Sequence, residues 1–157
     1  MACWSAESAT KAYLRAIQME KRAKEPDVSE FISALAAGNN SQLMVVACAC
    51  ASDSTTLALV AAAQQTGGTV ICILSGVDKL NPSLEFLHDN ARHVEFVIGD
   101  AKTLVINDYR RADCIVIDGN INNCKGILKT ARRIGEIAIV NFGVQCVANG
   151  LMEMPKP

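Results

Sequence analysis

Two aspartates that follow apolar, strand-like runs are the clearest candidates for chemistry in this sequence. Asp100 comes directly after the run 94–98 and Gly99, and Asp118 follows the run 112–117. In an open parallel sheet, ligands bind beyond the carboxyl ends of the strands, where these side chains would lie. The Asp100 carboxylate could accept a hydrogen bond from the amino group of an adenine base. It could equally cap the next helix, and the sequence leaves both interpretations open.

Small residues follow the first apolar run, at the position where a nucleotide-binding turn would contain glycines. Ala49 and Ser52 stand in this turn, and Asp53 begins the next helix. Alanine resists the left-handed backbone that glycine permits, and a carboxylate at a helix start repels phosphate. A phosphate is therefore not expected here, whereas S-adenosylmethionine, which carries none, remains a candidate ligand. The alternative is that Asp53 caps a helix and the turn binds nothing.

The turn after the second run lacks the acidic residue that would accept hydrogen bonds from ribose hydroxyls. Ser75 occupies that position, directly after the run 69–74. In dinucleotide-binding sheets, an acid at this place hydrogen-bonds the ribose. Asp78 lies a few residues further along and is the remaining candidate for the ribose, although it could instead cap the following helix.

Oxygen-bearing side chains at the last two strand ends would converge if those strands are neighbours. These side chains belong to Asp118, Asn120 and Asn141. Their oxygens suit magnesium, but one carboxylate and two amides make a weak site unless a substrate supplies further oxygens. Such residues also commonly end strands. We therefore predict no resident metal.

No residue is a convincing catalyst. His88 and His93 flank a loop and are expected at the surface, and no serine or cysteine is spaced to form a nucleophile–base pair with either. Lys125 and Lys129 fall on a helix whose polar face is expected to be solvated. The catalytic residues are therefore left unassigned.

Five apolar runs alternate with helical patterns, which predicts a doubly wound, mainly parallel five-stranded sheet of the Rossmann type. The strands are predicted at 43–49, 69–74, 94–98, 112–117 and 136–140. Two helices are predicted ahead of the sheet, at 5–21 and 27–38, the second with an apolar face of Val28, Phe31, Ile32 and Leu35. We expect one domain, with N-terminal helices at 1–40, a Rossmann-like core at 41–143 and a tail at 144–157.

The composition argues against nucleic-acid and membrane partners. The formal net charge is -1 and the basic residues are scattered, so no positive face is expected. The longest apolar run, 43–51, is far shorter than the roughly 20 residues that span a bilayer. The N-terminus does not resemble a signal peptide, so we expect the cytosol or the nucleus. The 7 cysteines lie mostly inside apolar runs and are expected to be buried free thiols.

Two of the strand ends resemble motifs of class I S-adenosylmethionine-dependent methyltransferases. The segments VEFVIGDA at 94–101 and ADCIVID at 112–118 resemble the third- and fourth-strand motifs, most closely those of catechol and caffeoyl-CoA O-methyltransferases. Segments 4–14 and 30–38 resemble a plant family of unknown function with a methyltransferase-like fold. The likeness covers most of the chain.

The resemblance implies S-adenosylmethionine as the cofactor and a role for several residues. Asp100 matches the acid that contacts adenine, Asp118 matches a metal-binding acid, and Asn141 lies near a pair that supplies further metal ligands. The candidate cofactor site consists of Ala49, Ser52, Ser75, Asp78, Gly99, Asp100 and Asp118.

The chain also departs from these enzymes. The glycine-rich first motif is missing, and Ser75 replaces the ribose acid. These departures favour a degenerate, non-catalytic methyltransferase-like protein that binds a small ligand or a protein. The alternative is an active O-methyltransferase, in which binding brings an acceptor oxygen in line with the methyl sulfonium.

The segment after the fifth strand is shorter than in class I methyltransferases. Residues 144–157 are too few for the helix and antiparallel strand pair expected there, so the fold is predicted to be truncated after the fifth strand. Because an edge strand exposes unpaired backbone groups, we expect self-association or a protein partner along the fifth strand.

Overall fold

Five parallel strands form one sheet with helices packed against both faces, in a computed structural model that describes residues 4–20, 28–134 and 137–141. The strands are β1 Leu43–Cys48, β2 Thr69–Leu74, β3 Val94–Ile98, β4 Cys114–Asp118 and β5 Ile137–Asn141. The helices are α1 Ala6–Glu20, α2 Val28–Gly38, α3 Ser54–Thr66, α4 Leu80–Leu87, α5 Ala101–Asn107 and α6 Cys124–Ala131. Short 3-10 helices cover Val77–Lys79 and His88–His93. The predicted parallel, Rossmann-like fold is confirmed.

The strand order β3-β2-β1-β4-β5 places β1 at the centre of the sheet. The chain runs outwards from β1 to β3 and then returns, so that β4 pairs with the free side of β1. The order therefore reverses between β1 and β4, which is where open α/β sheets bind ligands. The last two strands are neighbours, in the parallel pair β4–β5, which is the condition set above for their polar ends to converge. In the described part of the sheet, β5 is an edge strand, and a partner there stays a prediction.

Both faces of β1 are buried, which explains why the strands are continuous apolar runs rather than alternating patterns. Met44 and Val46 pack on one face with residues of α1, α2 and α3. Val45 and Ala47 pack on the opposite face with residues of α5 and α6. The helices therefore cover the sheet and leave its carboxyl edge for a site.

A carboxylate joins the beginnings of β1 and β4. Asp113 accepts hydrogen bonds from the backbone N–H of Gln42 at 2.8 Å and from that of Leu43 at 3.2 Å. The backbone N–H of Asp113 donates to the carbonyl of Leu43 at 3.1 Å. These bonds fix the register of β4 at the end of the sheet opposite the ligand edge.

The apolar face predicted for α2 is wrong in part. Ile32 is buried, but Phe31 is 60% exposed, and Val28 and Leu35 are exposed as well. A seryl hydroxyl of α2 instead donates to a backbone carbonyl of α1 at 3.2 Å, which requires the two helices to be close. Small side chains permit this approach, and Phe31 lies at the margin of the contact, where its ring packs edge-on against Tyr13 of α1 with the centroids 5.8 Å apart. The buried residues of α2 are Ser29, Glu30, Ile32, Ser33, Ala36, Ala37 and Gly38.

The cysteine prediction is confirmed for three residues. Cys48, Cys72 and Cys114 are buried free thiols. It is wrong for Cys50, which is partly buried and disulfide-bonded. The predicted tail at 144–157 lies outside the described residues. Within the described ranges, no helix is both long and apolar enough to cross a bilayer.

Candidate functional site

A cavity of about 580 Å³ lies at the carboxyl edge of the sheet, beside the reversal between β1 and β4. Its walls come from the ends of β1, β2 and β3, from the loop after β4 and from α6. Small-molecule sites in proteins commonly occupy about 300–1,000 Å³, so the cavity can hold a nucleoside-sized ligand. The small and polar residues of the lining include Ala49, Ser75, Lys79, Gly99, Asp100 and Asn120.

Asp100 lies in the cavity wall and caps α5. Its Oδ2 atom accepts hydrogen bonds from the backbone N–H and the hydroxyl of Thr103, at 3.0 and 2.8 Å. The Thr103 bonds hold the pKa of the exposed Asp100 carboxyl below its usual value of 3.8. Because both bonds fall on one oxygen of this cavity-lining carboxylate, Oδ1 can still accept a hydrogen bond from a ligand. The two interpretations left open by the sequence are therefore compatible.

Gly99 shapes the wall next to Asp100. Its backbone N–H donates to the carbonyl of Leu74 at 3.0 Å, which ties the ends of β2 and β3 together. A Cβ atom at Gly99 would come within 3.1 Å of Leu104 Cδ1. Glycine therefore lets the chain turn from β3 into α5 without displacing the side chain that packs beneath it.

A lysine and a serine occupy the end of β2. Lys79 Nζ donates to Ser75 Oγ at 2.6 Å, and both residues line the cavity. The short 3-10 helix Val77–Lys79 turns the chain back, which returns the lysine to the strand end. The sequence analysis did not identify Lys79. Its position four residues after Ser75, about one helical turn, could have indicated that its side chain returns to the strand end.

The turn after β1 lines the cavity through Ala49, whereas Ser52 and Asp53 are held by bonds to the protein. Ser52 is buried; its backbone N–H donates to Ser83 Oγ at 2.9 Å and its hydroxyl contacts Cys72 Sγ at 3.0 Å. Asp53 caps α3 by accepting from the Thr55 N–H at 2.9 Å. Burial raises the pKa of the Asp53 carboxyl to about 6, and the nearby Asp118 adds to the rise. The predicted cap at Asp53 is confirmed.

Asp118 fastens the loop after β4 to the turn after β1. Its Oδ2 accepts from the Ala49 N–H at 3.2 Å, and its Oδ1 accepts from the backbone and side-chain nitrogens of Asn120 at 2.9 and 3.0 Å. Asn120 therefore directs its amide nitrogen, not its oxygen, at the carboxylate. Asn141 pairs with Asp118 in the sheet register. In the part of the chain that the structure describes, no three His, Cys, Asp or Glu side chains form a metal-binding group.

The structure brings together part of the predicted cofactor site. Ala49, Ser75, Gly99 and Asp100 line the cavity. The remaining three, Ser52, Asp78 and Asp118, are not in its lining: Ser52 is buried behind the turn, Asp78 is exposed on the 3-10 helix, and Asp118 is held by backbone and amide groups. Their roles in ligand binding stay predictions.

The cavity offers hydrogen-bonding groups but little basicity. Asp100 is a weak base because its pKa is lowered. A hydrogen bond with Cys72, together with burial, holds the pKa of the Cys48 thiol at the cavity wall well above its usual value. His88 and His93 are exposed, as predicted, and lie outside the lining. The arrangement suits binding of a polar ligand better than abstraction of a proton.

The sequence matches a family described as "Protein of unknown function (DUF1442)" over residues 1–149. A search of the curated proteins found no match.

The fold is similar to solved structures of methyltransferases. The SAH-bound methyltransferase PaMTH1 from Podospora anserina superimposes with a TM-score of 0.55 at 14% identity, over 87% of this chain and 60% of that one. An O-methyltransferase from Bacillus cereus in complex with SAH gives 0.52 at 13% identity, over 83% of this chain and 62% of that one. A methyltransferase from Geobacter sulfurreducens gives 0.50 at 20% identity, over 83% and 67%. The chain thus spans about three fifths of the first two proteins, and the likeness establishes the fold.

Proposed function

The chain belongs to the DUF1442 family, and from this premise and its methyltransferase-like fold we propose that it binds S-adenosylmethionine or a related adenosine compound without transferring the methyl group. The observation that carries the proposal is the common cavity of Ala49, Ser75, Gly99 and Asp100 at the reversal of strand order. Two similar structures contain SAH, which is the same class of ligand.

The residues in the cavity fit the adenosine part of such a ligand. Asp100 Oδ1 can accept from an adenine amino group while Oδ2 keeps α5 capped. Ala49 and Gly99 present little side chain, so a flat base and a sugar can approach the backbone closely. The apolar wall is completed by Ile73, Ile121 and Ile127. When bound, S-adenosylmethionine would supply an electrophilic methyl group on its sulfonium.

Two features argue against catalysis by this chain. Among the described residues of the lining, Asp100 is a weak base because its pKa is lowered, and Cys48 retains its proton because its pKa is raised. Asp118, the acid that the resemblance assigns to a metal, has both carboxylate oxygens engaged by Ala49 and Asn120. Among the described residues, Asp118 also belongs to no group of three His, Cys, Asp or Glu side chains that could hold a metal.

Isothermal titration of the purified chain with S-adenosylmethionine and with SAH, each with and without magnesium, tests the proposal. We expect micromolar binding that does not depend on magnesium. The variant Asp100→Ser keeps a capping hydroxyl for α5 but is too short to reach the ligand. Because a hydrogen bond to a charged group contributes about 1.5–3 kcal/mol, the variant should raise the Kd about tenfold or more.

The matched control is Asp108→Ser, since Asp108 is an exposed aspartate at the other end of α5 and outside the cavity lining. It should leave the Kd unchanged. No binding heat from a folded sample would refute the proposal, and an equal loss in both variants would remove Asp100 from the site.

The second candidate is an active O-methyltransferase. It is favoured by the retained Asp100 in the cavity and by the likeness to O-methyltransferases such as that from Bacillus cereus. Incubation with S-adenosylmethionine and phenolic acceptors distinguishes the two. Steady production of SAH would replace the non-catalytic proposal, whereas binding without SAH production would support it.

A further inference from the structure

The end of β2 presents a cation and a hydroxyl to the cavity where a ribose site would present a carboxylate. Lys79 Nζ lies 2.6 Å from Ser75 Oγ, and Lys79 is partly buried. Within residues 4–20, 28–134 and 137–141, no carboxylate forms an ion pair with Lys79; the ion pair found there joins Lys11 to Glu7. Among the described residues, the Lys79 ammonium therefore has no carboxylate in direct contact.

A free ribose gains less from this ammonium and hydroxyl than it would from a carboxylate. Ribose hydroxyls recognised at a strand end donate to an acidic acceptor, and an ammonium group has donors but no acceptor. A phosphate on the ribose would instead favour a cation and hydrogen-bond donors at the end of β2, because it brings a negative charge and several acceptor oxygens. Dinucleotide-binding sheets show the same exchange, in which a basic residue replaces the acid when the ribose is phosphorylated.

We infer that the cavity prefers nucleotides whose ribose carries a phosphate on its 2′ or 3′ hydroxyl, held by Lys79 Nζ and the Ser75 hydroxyl. The inference rests on the proposed binding of an adenosine group in this cavity and specifies which adenosine compounds bind best. The other end of the nucleoside would still be read by Asp100.

The turn after β1 makes the preference specific for the position of the phosphate. Phosphate sites at this turn use free backbone N–H groups, but the Ala49 N–H is already donated to Asp118 Oδ2 at 3.2 Å. Asp53 and Asp118 place two carboxyl groups close enough to interact beside that turn. A phosphate on the 5′ position, which would point towards this turn, is therefore disfavoured, and one on the ribose face near Lys79 is favoured.

The inference is tested by isothermal titration of the full chain with adenosine 2′-monophosphate, adenosine 3′-monophosphate, adenosine 5′-monophosphate, adenosine and inorganic phosphate. The 2′ or the 3′ phosphate should bind about tenfold more tightly than adenosine and than the 5′ isomer, the gain expected from one charge-assisted contact. Whichever of the two binds more tightly identifies the hydroxyl that carries the phosphate. Inorganic phosphate alone should bind too weakly to measure.

Two variants connect the preference to the lysine. Lys79→Gln should bring the affinity ratio of the 2′ or 3′ phosphate over adenosine to about one, since it removes the charge. Lys129→Gln, at an exposed lysine of α6 outside the lining, should keep the ratio of the unaltered chain. Circular dichroism establishes that both variants are folded.

The results separate this inference from the proposed function. If SAH and adenosine bind but the 2′ and 3′ phosphates bind no more tightly, the inference fails and the proposed function stands. A preference that survives in Lys79→Gln also overturns the inference. If no adenosine compound binds a folded chain, both fail. In the double variant Ser75→Asp, Lys79→Gln, the preference should turn to unphosphorylated adenosine, because an acceptor then faces the ribose.

Discussion

Asp53 and Asp100 cap two helices at the same edge of the sheet, and their carboxyl pKa values move in opposite directions. Asp53 accepts from the Thr55 N–H at 2.9 Å, and Asp100 accepts from the Thr103 N–H at 3.0 Å. Burial nevertheless raises the pKa of Asp53 to about 6, whereas the Thr103 bonds lower that of the exposed Asp100. The capping bond lowers the carboxyl pKa at both sites, and at Asp53 the opposing effect of burial outweighs it.

This difference divides the ligand edge into two regions. At the turn after β1, the carboxyl groups of Asp53 and Asp118 are committed to backbone N–H groups of the protein. At the ends of β2 and β3, Lys79 and Asp100 keep hydrogen-bonding capacity that faces the cavity. We therefore expect the first region to stabilise the fold and the second region to bind the ligand.

The largest expected effect follows from replacing the partly buried cap by Asp53→Asn. Asparagine caps a helix as well as aspartate does, and it removes a charge that burial disfavours. The shift of the pKa from 3.8 to about 6 corresponds to about 3 kcal/mol. The folded-state pKa is raised, so the contribution of Asp53 to stability is full below about pH 4 and is lost as the pH rises through about 6. At pH 7.5 the variant should be more stable by about 1–3 kcal/mol.

Urea unfolding of both proteins at pH 4, 5, 6 and 7.5 measures this gain. The difference in the free energy of unfolding should be smallest at pH 4 and should grow through pH 6. If the variant and the unaltered protein are equally stable at every pH, Asp53 is ionised in the folded protein without penalty. The contrast with Asp100 would then disappear.

A smaller effect is expected for Asp118→Asn, which tests how much of the Asp53 shift comes from its neighbour. Burial is the larger cause and Asp118 the smaller, so the pKa of Asp53 should fall only part of the way towards 3.8. The variant also weakens the acceptor of the Ala49 N–H, at a cost of about 1 kcal/mol. Carboxyl NMR titration and urea unfolding measure the two effects. A return of the Asp53 pKa to 3.8 would make charge repulsion, and not burial, the cause.

The smallest effect on stability is expected for Asp100→Asn, the exposed counterpart of Asp53→Asn. Asparagine preserves the cap, and the lost charge at the helix start should destabilise the fold by only a few tenths of a kcal/mol. The folded-state pKa is lowered, so the contribution of Asp100 is present above about pH 4 and is lost as the pH falls further. In thermal unfolding at pH 7.5, Asp53→Asn should therefore raise the stability and Asp100→Asn should lower it. At pH 3 the effect of Asp100→Asn should be smaller. A stabilising Asp100→Asn would contradict the comparison.

The strands of the sheet were predictable because a strand buried on both faces is a continuous apolar run in the sequence. The strands predicted at 69–74 and 94–98 agree with β2 and β3 in both bounds. A parallel strand covered on both faces must be apolar throughout, and its ends are marked by residues such as Gly68 and Gly99. The packing of α2 was not predictable in this way, because hydrophobicity favours Phe31 for the core, whereas the contact with α1 requires small residues.

The site was predictable only where a residue adjoins a strand end. Asp100 was found because a buried strand runs directly into Gly99 and then the acid. Lys79 was missed because a lysine in a turn is usually solvated, and only the 3-10 helix returns it to Ser75. The engagement of Asp118 by Ala49 joins residues 69 positions apart, which no local pattern reveals. The two regions of the ligand edge thus became distinguishable only with the tertiary structure.

The central position of β1 has a consequence for how the chain is made. The partner of β1 on one side, β2, follows soon in the chain, but the partner on its other side is β4, whose Cys114 is 70 residues beyond Met44. At about 5–20 residues per second, a ribosome needs about 4 to 14 s to supply that partner. During this interval an apolar strand has one open side, and the bonds of Asp113 to Gln42 and Leu43 cannot yet form. The sheet can therefore be completed around β1 only after the second half of the protein has left the ribosome.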